Sequence, residues 1–181
     1  MVGTAEWFAL RVRSNSEKLA AIHLEARGFQ PFVPMYRSRR SWSDRLKEID
    51  LPLFPGYVFC QFVITNRFPI VSAPGVVYIV GTGKVPVAVD PTEIAAIQAI
   101  TASGLPTQPW PFLRIGQIVR VERGSLRGLE GILTDVRKKH RLVVSLTLLQ
   151  RSAAVEVDRD WVCPIFDRET TKVRSVAAGS M

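Results

Sequence analysis

The sequence predicts an α+β protein in two parts: an N-terminal antiparallel sheet flanked by helices, then a small five-stranded β-barrel. Three observations support this class. The first half alternates short apolar runs of strand type with two capped helix starts. A segment rich in proline and glycine, residues 104–113, interrupts the chain and predicts a linker. The last third carries short alternating runs separated by glycines, a pattern typical of small barrels.

Composition limits the class of protein further. The chain has 181 residues, 47% of them hydrophobic, and a formal net charge of +8. No apolar run reaches the ~18 residues that a membrane span needs, and residues 1–6 do not resemble a signal peptide. Cys60 and Cys163 form neither a metal-binding pair nor a disulfide framework. We therefore expect a cytoplasmic protein without a metal or cofactor, and the charge leaves a nucleic-acid partner open.

Two helices are predicted in the N-terminal domain, residues 1–103. Ser14 and Glu17 have the spacing of a capping box at the start of the first helix, and Gly28 supplies its end. The second helix begins at Asp90-Pro91-Thr92-Glu93, which combines an N-cap, a proline in the first turn and an acid three residues on. Ile94, Ile97 and Ile100 then share one face of that helix.

Strands are predicted around these helices. Residues 6–13 alternate and predict the first strand. Residues 48–53 and 57–64 predict two strands that pair with each other around Phe54-Pro55-Gly56. In the C-terminal domain, residues 114–166, strands are predicted over 117–123, 142–149 and 153–157. Residues 167–181 form a polar tail that we expect to be disordered.

Two motifs in this order resemble the NusG family. Trp7-Phe8-Ala9-Leu10 with the following capped helix, and then residues 53–59, resemble the N-terminal (NGN) domain of that family. Residues 119–131 resemble its KOW motif, and the resemblance extends over about residues 6–165. It implies an NGN domain, an SH3-like KOW barrel and a factor for transcription elongation. Residues 81–89 resemble the specialised antiterminators of the RfaH and UpxY kinds, so we expect a specialised paralogue.

The aromatic turn Phe54-Pro55-Gly56-Tyr57 is the first candidate site. Proline and glycine make a tight turn, and alternation places Tyr57 and Phe59 on the opposite side from Phe54. From the residues alone, these aromatics are core side chains or interface anchors. The resemblance implies that Phe54, Tyr57 and Phe59 help to bind the clamp helices of RNA polymerase. At least one of the three is expected to belong to the core.

A basic segment, residues 37–47, is the second candidate site. It has five basic residues, one acidic residue and Trp42, and predicts a protruding hairpin or loop. Such a segment follows phosphates and stacks on unpaired bases, or is simply a solvated loop. The resemblance implies contact with non-template DNA near the transcription bubble. The residues expected to make it are Arg37, Arg39, Arg40, Arg45 and, on the first helix, His23.

The third candidate site is a turn of the barrel. The family has an apolar-aromatic-glycine-arginine sequence there, and this chain has Leu148-Leu149-Gln150-Arg151. The resemblance implies a partner site at Leu148, Leu149 and Arg151. Loss of the aromatic and of the glycine argues against binding to termination factor Rho, while a ribosomal partner stays open. We expect a monomer in which the barrel leaves the N-terminal surface open.

Other function classes receive less support. A KOW-type RNA-binding or ribosome-associated protein is the alternative, with the basic run at residues 137–141 as its RNA site. Residues 81–84, Gly-Thr-Gly-Lys, lack the spacing of a phosphate-binding loop. His23 and His140 fall in different predicted domains, and Cys163 lies at the end of the barrel. No catalytic motif is present, so we do not expect an enzyme.

Overall fold

The computed structural model describes residues 3–42, 45–110, 116–136 and 139–165. Its strands are β1 Glu6–Val12, β2 Gln30–Phe32, β3 Met35–Trp42, β4 Arg45–Pro52, β5 Tyr57–Phe62, β6 Val76–Ile79, β7 Gly81–Thr82, β8 Val85–Pro86, β9 Thr107–Trp110, β10 Gln117–Val121, β11 Glu130–Val136, β12 Lys139–Leu146, β13 Arg151–Glu156 and β14 Val162–Pro164. Its α-helices are α1 Glu17–Glu25, α2 Phe68–Val71 and α3 Pro91–Ala102. Short 3₁₀ turns cover Ile64–Asn66 and Arg159–Trp161. The predicted α+β class is confirmed.

The N-terminal domain is built on a four-stranded sheet in the order β2-β5-β1-β6. The pairs β2–β5, β5–β1 and β1–β6 are antiparallel, and the register places Leu10 opposite Val58 and Arg11 opposite Tyr57. Side chains alternate across the sheet, so the even-numbered and odd-numbered residues of β1 point to opposite faces. This alternation gives the sheet two different packed layers.

The two layers have different helices. On the face that we name the α1 face, Phe8 and Leu10 of β1 pack with Ala20 and Leu24 of α1. On the opposite face, named the α3 face, Ala9 and Phe59 belong to a cluster with the isoleucines of α3. The isoleucines are Ile94, Ile97 and Ile100, and each is buried. The predicted apolar side of the second helix is therefore confirmed.

The two helix starts turned out differently. Asp90 caps α3 as predicted, because its carboxylate accepts a hydrogen bond from the Thr92 backbone N–H at 2.8 Å. The capping box at Ser14 and Glu17 is wrong. Helix α1 begins after Ser16, which makes no side-chain cap, and the Glu17 carboxylate bonds to a distant turn instead. The spacing of Ser14 and Glu17 fits a capping box, but the Glu17 carboxylate accepts the Gly56 N–H, 39 residues away in the sequence.

The predicted pairing of the two strands around the aromatic turn is also wrong. β4 pairs with β3 in a long antiparallel hairpin that runs from Met35 opposite Pro52 to Trp42 opposite Arg45. β5 pairs with β1 and β2 instead. Apolar alternation identifies a strand without identifying its neighbour, so both strands were found and their pairing was not. The basic segment 37–47 falls in this hairpin, as predicted.

The C-terminal β domain, residues 107–165, is a six-stranded antiparallel sheet in the order β14-β10-β11-β12-β13-β9. Five strands match the predicted barrel, and β9 comes from the segment predicted as a linker. Its residues Thr107–Trp110 pair with β13, from Val155 to Ser152. β9 lies at the edge of the sheet, where Pro109 is tolerated because its missing N–H has no strand to bond. The connection from α3 to this sheet is thus only Ser103–Pro106.

The β domain packs on the N-terminal domain. Helix α3 contacts β12, and one cluster of buried residues extends from Phe59 and Ile97 to Val144 and Leu146 of the β domain. The expectation of an open N-terminal surface is therefore wrong for this arrangement. The sequence did not predict the contact, because packing between segments about 50 residues apart leaves no periodic signal in a single sequence. No helix within the described ranges is long and apolar enough to cross a membrane.

Candidate functional site

The aromatic turn between β4 and β5 is held from both sides of its glycine. The N–H of Gly56 donates to Oε1 of Glu17 at 2.6 Å, and its carbonyl accepts from the N–H of Val12 at 2.9 Å. The turn is closed by the N–H of Tyr57, which donates to the carbonyl of Phe54 at 3.1 Å. Glu17 is only 5% exposed, so its carboxylate is removed from water and needs this donor.

The backbone conformation at Gly56 favours glycine. Its φ of +83° lies in the left-handed region, which side chains with a Cβ avoid. A Cβ there would also collide with the guanidinium of Arg11, which reaches across from β1. The guanidinium donates to the Gly56 carbonyl at 3.5 Å and lies 5.0 Å from the centroid of the Tyr57 ring. Arg11 and Glu17 thus fix the peptide that leads into Tyr57.

The three predicted aromatics have different environments. Phe54 is 1% exposed and Phe59 is fully buried, with their rings edge to face at a centroid distance of 6.0 Å. Phe59 also contacts Phe32 of β2, at a centroid distance of 6.2 Å. Tyr57 is partly buried at the end of the α3 face. Phe54 and Phe59 therefore belong to the core, as expected of at least one of the three, and Tyr57 is the member that reaches the surface.

Two residues of the β domain border this turn and the helix beside it. The guanidinium of Arg151 lies 5.3 Å from the centroid of the Tyr57 ring. At the start of α3, the Glu93 carboxylate accepts from the backbone N–H of Thr147 at 3.1 Å and from its hydroxyl at 2.6 Å. A guanidinium over a tyrosine face is a favourable cation–π contact. The first and third candidate sites, predicted separately, are thus in contact.

The barrel turn of the third site has a strained residue where the family has glycine. Gln150 adopts φ of +50°, and its side-chain amide donates to the carbonyl of Thr147 at 2.7 Å. A residue with a Cβ in this region costs about 1 kcal/mol relative to glycine. Leu148 and Leu149 are partly buried against the cluster shared by the two domains. The three predicted partner residues are therefore mostly engaged within the molecule.

The β3–β4 hairpin carries the second candidate site, the basic segment 37–47. Arg37 is exposed, and it makes long ion pairs with Glu48 at 3.7 Å and Asp50 at 4.0 Å. Exposed pairs of this kind contribute little to stability. Arg39, Arg40 and Arg45 lie on β3 and β4, but their side chains fall outside what the structure describes. The tail 167–181 and residues 111–115 also lie outside the described residues.

His23 lies on α1, four residues before Arg27, whose guanidinium links the end of α1 to α2. Arg27, just after α1, donates to the Ser72 hydroxyl at 2.9 Å and to the Ser72 carbonyl at 3.3 Å. It also donates to the carbonyl of Pro69 on α2. His23 is partly buried on the same helix. In the described part of the chain, no three His, Cys, Asp or Glu residues lie close enough together to hold a metal ion.

Sequence reasoning missed four residues that build the site: Arg11, Glu17, Glu93 and Thr147. Glu17 and Glu93 were noticed only as acids at helix starts. Glu93 meets Thr147 across 54 residues, and Gly56 meets Glu17 across 39. A single sequence carries no signal for pairs at such separations.

Comparison with known proteins decides the family. The family model described as "Transcription termination factor nusG" matches residues 5–98, just over half of the chain. The chain belongs to the NusG family. Two curated relatives, both named "Transcription termination/antitermination protein NusG", are similar over nearly their whole length. The protein of Halalkalibacterium halodurans is 24% identical over 87% of this chain and 93% of its own. The protein of Thermus thermophilus is 28% identical over 84% and 95%.

A solved NusG structure supports the fold. The Thermotoga maritima protein, in a structure titled "Domain interaction in Thermotoga maritima NusG", aligns with a TM-score of 0.56 and 20% identity. The alignment covers 90% of this chain and 98% of that one. As a NusG-family member, the protein has a role in transcription.

Proposed function

We propose that the protein is a transcription elongation factor that binds RNA polymerase through the N-terminal domain, with the partly exposed Tyr57 as the anchor. Phe54 and Phe59, which are buried, belong to the core beside that anchor. The observation that carries the proposal is the built turn: Arg11 and Glu17 hold Gly56, so the following tyrosine is presented by a rigid support. A rigid aromatic buries a large area at small entropic cost, which is the property of an interface anchor.

The proposed activity needs no bond chemistry. A factor that binds the processive state of polymerase more tightly than the paused state shifts the population toward elongation. We assign the protein to the specialised antiterminators because residues 81–89 resemble that group. It would act in the bacterial cytoplasm as a monomer.

The β domain would both restrain and extend this activity. The Arg151 guanidinium lies over the Tyr57 ring, so it would compete with polymerase for that face of the ring. The affinity measured for polymerase is then reduced by the fraction of molecules in the closed arrangement. Once released, Leu148, Leu149 and Arg151 become available to a second partner, such as a ribosomal protein. Leu149 in the place of the family's aromatic offers less contact area, which disfavours Rho.

The β3–β4 hairpin is proposed to contact non-template DNA. Arg37 is exposed with only weak ion pairs, so its charge is available to a phosphate. Arg39, Arg40 and Arg45 follow along the same hairpin, and His23 is assigned to the same DNA from α1. This contact would be auxiliary, and raising the salt concentration would weaken it more than the polymerase contact.

Co-purification with core RNA polymerase at fixed salt tests the proposal. Tyr57→Ala should weaken binding about tenfold or more, because it removes the anchor. Arg151→Ala should strengthen binding, because it removes the competing contact and leaves the anchor. Tyr78→Ala is the matched control, since Tyr78 is 52% exposed on β6 of the same sheet. Absence of wild-type binding, or equal binding by the Tyr57 and Tyr78 variants, would overturn the proposal.

The alternative is an RNA-binding or ribosome-associated protein. It rests on the basic run at 137–141, of which the first two residues lie outside the described part. Arg141 is occupied within the fold, 3.5 Å from Glu156 and 5.2 Å from the Trp110 ring centroid. Neutralising Arg137, Lys138 and Lys139 together leaves Arg141 in place. If RNA affinity falls and polymerase binding is absent, the alternative replaces the elongation factor.

A further inference from the structure

The carboxylate of Glu17 is a buried acid with no role in the helix cap that its position suggested. It lies in the first turn of α1, is 5% exposed, and accepts the N–H of Gly56 at 2.6 Å. Burial of a carboxylate is costly unless it is hydrogen-bonded, and a neutral apolar side chain would avoid that cost. The acid therefore serves the conformation of the turn that it bonds.

The bond acts on the one peptide whose orientation directs Tyr57. Gly56 has φ of +83°, and its carbonyl is held by the Val12 N–H at 2.9 Å. Without an acceptor at Glu17, the Gly56 N–H would be buried and unpaired, since Gly56 itself is buried. Rotation of the Phe54–Tyr57 turn toward water would relieve that loss and move the Tyr57 ring.

Arg11 supplies the second half of the support. Its guanidinium fills the space beside Gly56 that a side chain would take, and it also lies over the Tyr57 ring, 5.0 Å from the centroid. Arg11 belongs to the N-terminal domain, so this contact persists when Arg151 and the β domain move away. The ring is thus held by its own domain before any partner arrives.

We propose that Glu17 is a positioning residue for polymerase binding: through Gly56 it holds Tyr57 in the orientation that the partner recognises. This inference rests on the proposed function and adds to it a residue that touches no partner. It predicts that a glutamine, whose side-chain oxygen still accepts the Gly56 N–H, preserves most of the binding. It also predicts that an alanine, which leaves the N–H unpaired, does not.

The test measures the affinity of full-length variants for core RNA polymerase at a temperature where each is folded. Glu17→Ala should bind about tenfold more weakly than wild type, and Glu17→Gln within about threefold. Leu24→Ala is the matched control, because Leu24 is buried on the same helix and contacts the α1 face rather than the turn. Its affinity should stay at the wild-type value although the fold is destabilised.

A second readout follows the Gly56 amide directly. In spectra of glycine-labelled protein, the Gly56 amide proton should exchange slowly in wild type and in Glu17→Gln, and faster in Glu17→Ala. If Glu17→Ala is unfolded, the comparison of Glu17→Gln with wild type still decides, because a Gln variant with fast Gly56 exchange and unchanged affinity overturns the inference.

Tyr57→Ala in the same assay separates the two proposals. Weak binding by Tyr57→Ala with wild-type binding by Glu17→Ala overturns the positioning role alone. Equal loss in Glu17→Ala and Leu24→Ala also overturns it, since stability would then explain both. Wild-type binding by Tyr57→Ala overturns the proposed function itself.

Discussion

The two faces of the N-terminal sheet differ in how they are closed. The α1 face is a uniform apolar layer in which Phe8, Leu10, Val58 and Cys60 are at most 2% exposed. The α3 face begins in the same way under α3, at Ala9 and Phe59, and ends at Arg11 and Tyr57, beside the turn that Glu17 of α1 holds. The comparison teaches that burial changes within one strand: on the same face of β5, Phe59 is fully buried and Tyr57, two residues earlier, is only partly buried.

The largest expected effect is on the buried end of the α3 face. Phe59→Ala should lower the free energy of unfolding by about 3–5 kcal/mol, because Phe59 is fully buried between Phe54 and Phe32. Urea denaturation followed by circular dichroism measures it. Phe62→Ala, on the same strand at the α1 face, should lose a comparable amount. A loss below about 1 kcal/mol for Phe59→Ala would mean that Phe59 is an interface anchor and not core.

The next effect is on the contact between the α3 face and the β domain. Glu93→Ala removes the acceptor of both Thr147 hydrogen bonds and, because these bonds are exposed to water, should destabilise the closed arrangement by about 0.5–1.5 kcal/mol. The radius of gyration from small-angle scattering should increase as the domains separate. Glu25→Ala, an exposed acid of α1, is the control and should leave it unchanged. An unchanged radius in the Glu93 variant would show that apolar packing alone holds the β domain.

The free energy of unfolding should depend on pH through the Cys60 thiol, which is buried on the α1 face. Burial raises the pKa of the Cys60 thiol from about 9 to about 12. Because the folded value lies above the unfolded one, this stabilisation is complete below pH 9 and is lost as pH rises toward 12. The loss is at most about 1.4 kcal/mol per pH unit.

The unfolding free energy of wild type, Cys60→Ala and Cys163→Ala between pH 8 and 10.5 measures this effect. The slope should be smaller in Cys60→Ala and unchanged in Cys163→Ala, since Cys163 is exposed. Equal slopes in all three proteins would show that the Cys60 thiol ionises without unfolding.

The smallest expected effect is on the outer side of α1. Leu19 is 53% exposed and Ile22 is 59% exposed, so neither contributes to the α1 face. Leu19→Ala should change the unfolding free energy by less than about 0.5 kcal/mol, while Leu24→Ala should cost about 2–5 kcal/mol. A large loss for Leu19→Ala would show that the closed layer extends beyond the sheet and its inner helix side.

Local signals predicted local structure well. The cap at Asp90, the isoleucine side of α3 and the alternation of β1, β10 and β13 were all readable because each depends on residues within one element. The sequence did not predict which of Phe54, Tyr57 and Phe59 are buried and which reaches the surface. Their burial depends on where α3 lies, and α3 begins more than 30 residues after the turn.

The sequence also did not predict which strands pair with each other. The partner of β4 was misassigned because alternation is the same for every neighbour, and β9 was missed because prolines argue against strands in general. Glu17 was assigned to a cap because a carboxylate in a first turn usually interacts locally. Each error arises where a contact between distant segments outweighs a short-range preference.

The four residues between α3 and β9 set a physical scale for the closed contact. Ser103–Pro106 span at most about 14 Å when fully extended. This short linker holds the β domain near the N-terminal domain at an effective concentration of about millimolar or above. At that concentration, the shared apolar cluster, the Arg151–Tyr57 contact and the Glu93–Thr147 hydrogen bonds act together to keep the domains in contact. Separation of β9 from β13 would lengthen the linker to residues 103–116 and lower the effective concentration of the β domain, while the contacts of Tyr57 stay in place. The pairing of β9 with β13 therefore sets the length of the connection between the two domains.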